Sequence, residues 1–124
     1  MIKQLSFDNF KCLSGKEFNL GKVNIFTGYN GRGKSSVMQS ILLLSQSLRK
    51  DDYTSFSSLH VNGELVSLGD FEELLSTPGK SKFGINIIIS NQGEHTISFV
   101  YNSSHDDRVG KLSVCEIDGK KYFI

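Results

Sequence analysis

The chemistry of this chain is concentrated in Gly28-Tyr29-Asn30-Gly31-Arg32-Gly33-Lys34-Ser35, a full G-x-x-x-x-G-K-[ST] phosphate-binding loop. Glycines let a backbone wrap closely around an anion. The N–H groups of such a turn converge with the unpaired donors at the start of the helix that follows. Lys34 adds a cation for the β- and γ-phosphates, and the Ser35 hydroxyl adds an oxygen ligand for Mg²⁺. The donors expected around the phosphates are the backbone N–H groups from Asn30 to Ser36, with Gly28, Gly31 and Gly33 giving the loop its freedom. Asparagine at position 30 suits the loop because it tolerates a left-handed turn. Arg32 enters only through its backbone N–H, so its side chain is assigned no catalytic role. The ligand class implied is a nucleoside triphosphate, ATP or its product ADP, with Mg²⁺. The plain alternative is a glycine-rich turn that caps a helix and binds nothing.

A loop of this kind works only between a strand and a helix, and both are expected. Val23-Asn24-Ile25-Phe26-Thr27 reads as a short apolar strand before it. After it, Val37, Ile41, Leu44 and Leu48 form one helical stripe from Ser36 to Arg49, with Met38, Leu42 and Ser45 beside it. An arc this wide predicts a helix buried against a sheet, with Met38 and the leucines in the core. Ahead of these elements, Ile2, Leu5 and Phe7 mark a first strand ending at Asp8-Asn9. Phe18 and Leu20 mark a second, and Gly21-Lys22 turns the chain. The polar stretch Lys50 to Ser58 reads as a surface loop.

From residue 59 the pattern changes to hairpins. Leu59 to Val61 and Leu65 to Leu68 flank Asn62-Gly63, a two-residue hairpin signal. Asp70-Phe71-Glu72-Glu73 has capping-box spacing and opens a short helix that stops before Pro78-Gly79. Phe83, Ile85, Ile87 and Ile89 alternate along one strand, and Asn91 to Glu94 turns it. Ile97, Phe99 and Tyr101 form the return. Leu112 to Cys115 and Tyr122 to Ile124 follow, joined through Asp118-Gly119. Strands in succession with short turns make an antiparallel meander, not a chain of βαβ units. The expected architecture is α/β in one domain over residues 1–124: a strand–phosphate loop–helix core over about 1–50 and an antiparallel β-rich part over about 59–124.

Composition sets bounds. The 124 residues suffice for one modest core, with 38% hydrophobic and 22% charged residues as in ordinary globular chains. Fourteen Lys and Arg against 13 Asp and Glu give a net charge of +1, so charge provides no footprint for nucleic acid. Cys12 and Cys115 are far apart, without CxxC spacing, and read as reduced thiols. His60, His95 and His105 read as strand-edge or loop residues without paired carboxylates. The longest apolar run, Ile41 to Leu44, is too short for a bilayer, so no membrane is expected. With no leader sequence, the expected location is the cytoplasm.

The layout resembles the amino-terminal half of ABC-type ATPase heads, within them the RecF, SMC and OLD-like group of AAA-15-type ATPases. Chains of that group open "I-x-x-L-x-x-x-N-F-[KR]" and then reach "G-x-N-G-x-G-K-[ST]-[ST]". Asn9-Phe10-Lys11 and Gly28 to Ser36 occupy those positions here. Leu65 to Leu74 also looks like the segment after the first helix of bacterial members. The resemblance implies that Lys11 lies beside the nucleotide and assists Lys34 at the phosphates, a plausible use of a second cation. It also implies a role on DNA, in repair or anti-phage defence, and a homodimer of heads.

Two parts of such a head are missing. No run of apolar residues ends in the Asp-Glu pair that would hold Mg²⁺ and the attacking water. Leu13-Ser14-Gly15-Lys16 imitates the signature motif but precedes the phosphate loop, and reads as a turn. Gln92 falls in a hairpin tip with Asn, Gly and Glu, so it too reads as a turn residue. The chain is therefore expected to bind nucleotide without turnover, as one half of an ATPase head whose other half completes it in cis or in trans. Two other readings stay open: a regulatory module that binds ATP or GTP without hydrolysis, and a transporter-type ABC ATPase lobe.

Overall fold

A computed structural model describes residues 1–25, 34–48, 58–77 and 81–123, with the backbone alone at Lys34 and Phe123. Alternating apolar residues build most of its strands. These are β1 (Ile2–Asp8), β2 (Glu17–Asn19), β3 (Ser58–His60), β4 (Lys82–Ser90), β5 (Glu94–Ser103), β6 (Val109–Ile117) and β7 (Lys120–Phe123). One helix, α1, runs from Lys34 to Leu48, and short 3₁₀ turns form at Lys11–Leu13 and Phe71–Leu74.

The strands make one seven-stranded sheet in the order β2-β1-β4-β5-β6-β3, with β7 also on β6. Every pairing among the described residues is antiparallel. The meander β4 to β7 matches the expected one strand for strand. Its turns use left-handed residues where the sequence signals them: Gln92 and Gly93 at φ 52° and 114°, Asp118 and Gly119 at 51° and 84°. Gln92 is thus a turn residue, as expected, and so is Gly15, whose φ of 76° lets its N–H reach the carbonyl of Phe7.

Residues two apart share a face, so the register lines up Leu5, Ile87 and Ile97, then Phe7, Ile85, Phe99 and Cys115. Aromatic rings continue this face as a connected chain. Phe7 lies 5.7 Å from Phe10, Phe10 5.1 Å from Phe83, and Phe83 5.5 Å from Phe71 and 5.6 Å from Tyr101. Each such pair adds about 0.5–1.5 kcal/mol beyond the area it buries. Gly110 makes room for this chain: a Cβ there would come within 2.8 Å of the Phe71 ring.

Four local expectations are corrected. Val23 and Ile25 form no strand and stand 85% and 84% exposed. No strand among the described residues pairs with them, and an apolar segment without a ladder partner has nothing to hold it extended. Phe26 and Thr27 lie outside the described residues. Around Asn62-Gly63 the turn is wider than two residues: the Gly63 N–H donates to the Val66 carbonyl and the Leu68 N–H to the Val61 carbonyl, about an Asn62–Ser67 bridge, and the return segment forms no strand of its own. Asp70 makes no side-chain cap, and the segment after it closes as a 3₁₀ turn, so the capping box is not formed.

The helix is the fourth correction. Val37, Ser40, Leu43, Leu44, Gln46 and Ser47 are buried, whereas Met38 is 49% and Leu48 43% exposed. The protein covers one side of α1 with β3 and the Lys11–Leu13 turn, and the serines sit on that side because they bond within it. Ser40 and Ser47 donate to the carbonyls of Val37 and Leu43, and Ser47 Oγ accepts from the His60 N–H. Most of the expected loop, residues 50–57, and Pro78-Gly79 lie outside the described residues.

Candidate functional site

The geometry of the site starts at a corner after β1. Asn9 is only 4% exposed and left-handed at φ 57°, a conformation asparagine adopts at low cost. Its side chain makes that corner rigid. Nδ2 donates to the carbonyl of Lys82 at 2.9 Å, and Oδ1 accepts from the Thr77 N–H at 3.0 Å. Its own N–H donates to Ser14 Oγ, and its carbonyl accepts from the Ser76 N–H. Phe10 follows and buries completely in the aromatic chain. Between them, these two residues aim the third.

Lys11 is also left-handed, at φ 45°, and its carbonyl accepts a hydrogen bond from Ser76 Oγ. Its ammonium donates to Gln39 Oε1 at 2.8 Å, on the second turn of α1. The next residue, Cys12, lies beside the first turn, with Sγ 3.8 Å from Ser36 Oγ. Asn-Phe-Lys is therefore a built corner that carries a cation to the helix opened by Lys34. The first turn of that helix has no acidic residue.

Of the expected site residues, Lys11 meets Gln39 on the second turn of α1, Ser36 lies near Cys12 on the first turn, and Ser35 stands exposed on that first turn. Lys34 is the first residue of the helix. Gly28, Asn30, Gly31, Arg32 and Gly33 lie outside the described residues. Sequence reasoning missed Gln39 and Cys12, because a glutamine and a cysteine carry no motif of their own. It also missed Gln46, which is buried and ties the far end of α1 to the segment from His60 to Val66. No group of three or more His, Cys, Asp and Glu side chains among the described residues could hold a metal ion. Both cysteines are free, Cys12 exposed and Cys115 buried, as expected for thiols. Burial pushes the Cys115 thiol above its ordinary pKa.

One histidine expectation is corrected. His95 does have a carboxylate partner: its Nδ1 lies 2.8 Å from Asp118 Oδ2, and its Nε2 lies 3.2 Å from the Asn91 carbonyl. The sequence separation of 23 residues hid this pair, which forms only when antiparallel pairing of β5 and β6 brings the turn before β5 and the turn after β6 to the same end of the sheet. The hydrogen bond and charge of Asp118 raise the His95 pKa. The His95 hydrogen bond, helped by the Thr96 N–H, lowers that of Asp118.

An antiparallel sheet packed on the helix of a G-K-S loop defines an ABC-type P-loop ATPase lobe. The chain belongs to the AAA ATPase domain family (AAA_15), which it matches over residues 1–122. It is 37% identical over 93 residues to the DNA replication and repair protein RecF of Clostridioides difficile (strain 630), covering 69% of this chain and 24% of that protein. The solved structures of the recombination mediator protein RecF in the RecFOR pathway, RecF-ATPrS and RecF-ATP, share its fold. Their TM-scores are 0.59 and 0.58 at 21% and 20% identity, over 98% of this chain and 28% of theirs. The chain thus spans about a quarter of the length of these relatives. No helix among the described residues is long and apolar enough to cross a membrane.

Proposed function

We propose that this chain is the nucleotide-binding lobe of a RecF-like ATPase, which takes ATP or ADP with Mg²⁺ at residues 28–36. The observation that carries the reading is the Asn9-Phe10-Lys11 corner. It carries a second cation to the second turn of the helix that follows the phosphate-binding motif, a helix whose first turn has no acidic residue. That donor set fits a triphosphate: two ammonium groups, the backbone N–H groups of the loop, and the exposed Ser35 hydroxyl for Mg²⁺. When bound, the nucleotide would supply the transferable phosphoryl group. The residues of this chain would bind and orient it, Lys34 and Lys11 as cations, Asn30, Gly31, Arg32, Gly33 and Ser36 through backbone donors, and Gly28 by letting the loop turn.

Completion of the site, in this reading, comes from the part of the head that this chain does not contain, in cis or in trans. The named roles of the relatives, DNA replication and repair and recombination mediation, extend the proposal to a role in DNA repair; a cytoplasmic location and pairing of two heads belong to the proposal through the family resemblance alone. Binding by the lobe alone should be weak, since the opposing surface that desolvates the phosphates is missing. The sequence has no apolar run ending in Asp-Glu to position an attacking water, so turnover should stay at background.

Titration calorimetry with Mg·ATP on wild type and Lys34→Ala tests the reading. Wild type should bind and the variant should lose at least tenfold, on the scale of about 1.4 kcal/mol for one charge-assisted contact. Equal affinity in both chains refutes a working phosphate loop. Phosphate release at an ordinary ATPase rate that Lys34→Ala abolishes would overturn the claim of binding without turnover.

A further inference from the structure

Lys11 meets α1 in an unusual electrical setting. Its left-handed backbone is one that a non-glycine residue keeps only where its surroundings hold it. The bonds from Ser76 to the carbonyls of Asn9 and Lys11 do so. The ammonium that this backbone aims at the helix meets a neutral amide, Gln39 Oε1, at 2.8 Å. Among the described residues no carboxylate lies within ion-pair distance of it, and the first turn of α1 has none to offer. A cation near the positive end of a helix dipole is repelled by it. A lysine with four flexible methylenes and nothing to hold it would therefore swing to water.

We propose that Gln39 is a positioning residue for Lys11: its amide oxygen keeps the ammonium against the second turn of α1, with no carboxylate partner among the described residues, for the phosphate oxygens of the nucleotide. This rests on the reading of the loop as a phosphate site. An amide acceptor suits the task for two reasons. It uses one of the three N–H donors of the ammonium and leaves two for a ligand. Being neutral, it fixes the position of the charge without cancelling it, so the full attraction remains for an incoming anion.

The test is a double-mutant cycle on the 124-residue chain, read as Mg·ATP affinity by calorimetry, with Lys34→Ala alongside. Lys11→Met should lower affinity by about tenfold, the value of a partly exposed charge-assisted contact. Gln39→Leu should lower it by about threefold, because a lysine that must be re-ordered on binding loses side-chain entropy. In the Lys11→Met background Gln39→Leu should have no effect, since nothing is left to position. Gln39→Asn keeps the amide but falls one methylene short, so it should behave as Gln39→Leu and guards against a folding defect of the leucine variant. Equal losses from Gln39→Leu with and without Lys11 would mark a merely structural role and overturn the proposal. So would wild-type affinity in Gln39→Leu when Lys34→Ala has lost binding, and that outcome leaves the phosphate loop intact. If Lys34→Ala binds like wild type, the phosphate-site reading falls and this inference with it.

Discussion

Replacing Gln46 by leucine should destabilise the lobe by about 3 kcal/mol, although nothing of the phosphate loop is touched. Gln46 is 7% exposed on the sheet side of α1. Its Nε2 donates to the carbonyls of His60 at 2.6 Å and Val66 at 3.0 Å. Its Oε1 accepts from the N–H groups of Leu65 at 3.2 Å and Val66 at 3.0 Å. Gly63 is pressed so close that a Cβ there would lie 2.7 Å from the Gln46 amide. Leucine keeps the volume, so the cavity contribution is small and the polar loss dominates. Four neutral hydrogen bonds at about 1 kcal/mol each set the upper figure. Leu65 is 40% exposed, so water can replace part of what its N–H loses, which brings the sum to roughly 2–4 kcal/mol. That is a large share of the about 5–15 kcal/mol that holds a domain folded. It corresponds to a fall in Tm of about 8–16 °C at about 4 °C per kcal/mol. Urea unfolding followed by circular dichroism measures it as a lower midpoint at unchanged slope. A loss under about 0.5 kcal/mol, the scale of an ordinary surface change, would refute the view that this amide clamps the helix to the segment after β3.

Three further outcomes are expected. Gly110→Ala puts a methyl 2.8 and 2.9 Å from two Phe71 ring carbons and 3.1 Å from Leu59 Cβ, so it should cost about 1–3 kcal/mol of overpacking in a thermal melt; wild-type stability would show that the ring yields freely. Both ring nitrogens of His95 face acceptors, which only the imidazolium satisfies, so its contribution should be complete below pH 6.5 and vanish as pH rises through the raised folded value. Asp118 contributes with the opposite sense, above its ordinary 3.8 and lost as pH falls through its lowered value. An NMR titration should place His95 above 6.5 in wild type and lower in Asp118→Asn, and a wild-type value at or below 6.5 contradicts the pairing. The exposed Met38 and Leu48 on α1 and the edge strand β2, paired on one side only among the described residues, favour self-association that does not depend on nucleotide. Sedimentation velocity should show concentration-dependent oligomers with or without ATP, and a monomer that dimerises only on adding ATP would overturn this.

Much of the fold is written locally. The alternation Phe83-Ile85-Ile87-Ile89 and its return Ile97-Phe99-Tyr101 fix strands, faces and partners together, because a strand places every second residue on one side. Asp118-Gly119 fixes its own turn, since both residues accept a positive φ. The phosphate loop and the family resemblance are legible for the same reason: each rests on residues within one loop or corner.

What the sequence did not disclose depends on partners brought from far along the chain. Asn-Gly at positions 62 and 63 signals a tight hairpin, yet the pair becomes part of a wider turn closed from Gly63 to Val66, while β3 takes its ladder partner from β6. The helical stripe of α1 shows that one side must be covered without saying which. The covered side buries Ser40, Gln46 and Ser47, whose polar atoms bond to the helix's own carbonyls or to the segment from His60 to Val66, and leaves Met38 and Leu48 outside. Asn9 finds Lys82 across 73 residues, Lys11 finds Gln39 across 28, and His95 finds Asp118 across 23. Local rules govern backbone conformation and periodicity over a few residues, whereas a hydrogen bond between distant side chains exists only once the sheet has set their positions. The motif thus marked a candidate phosphate site from the sequence alone, and the tertiary structure decided which side chain Lys11 meets on α1.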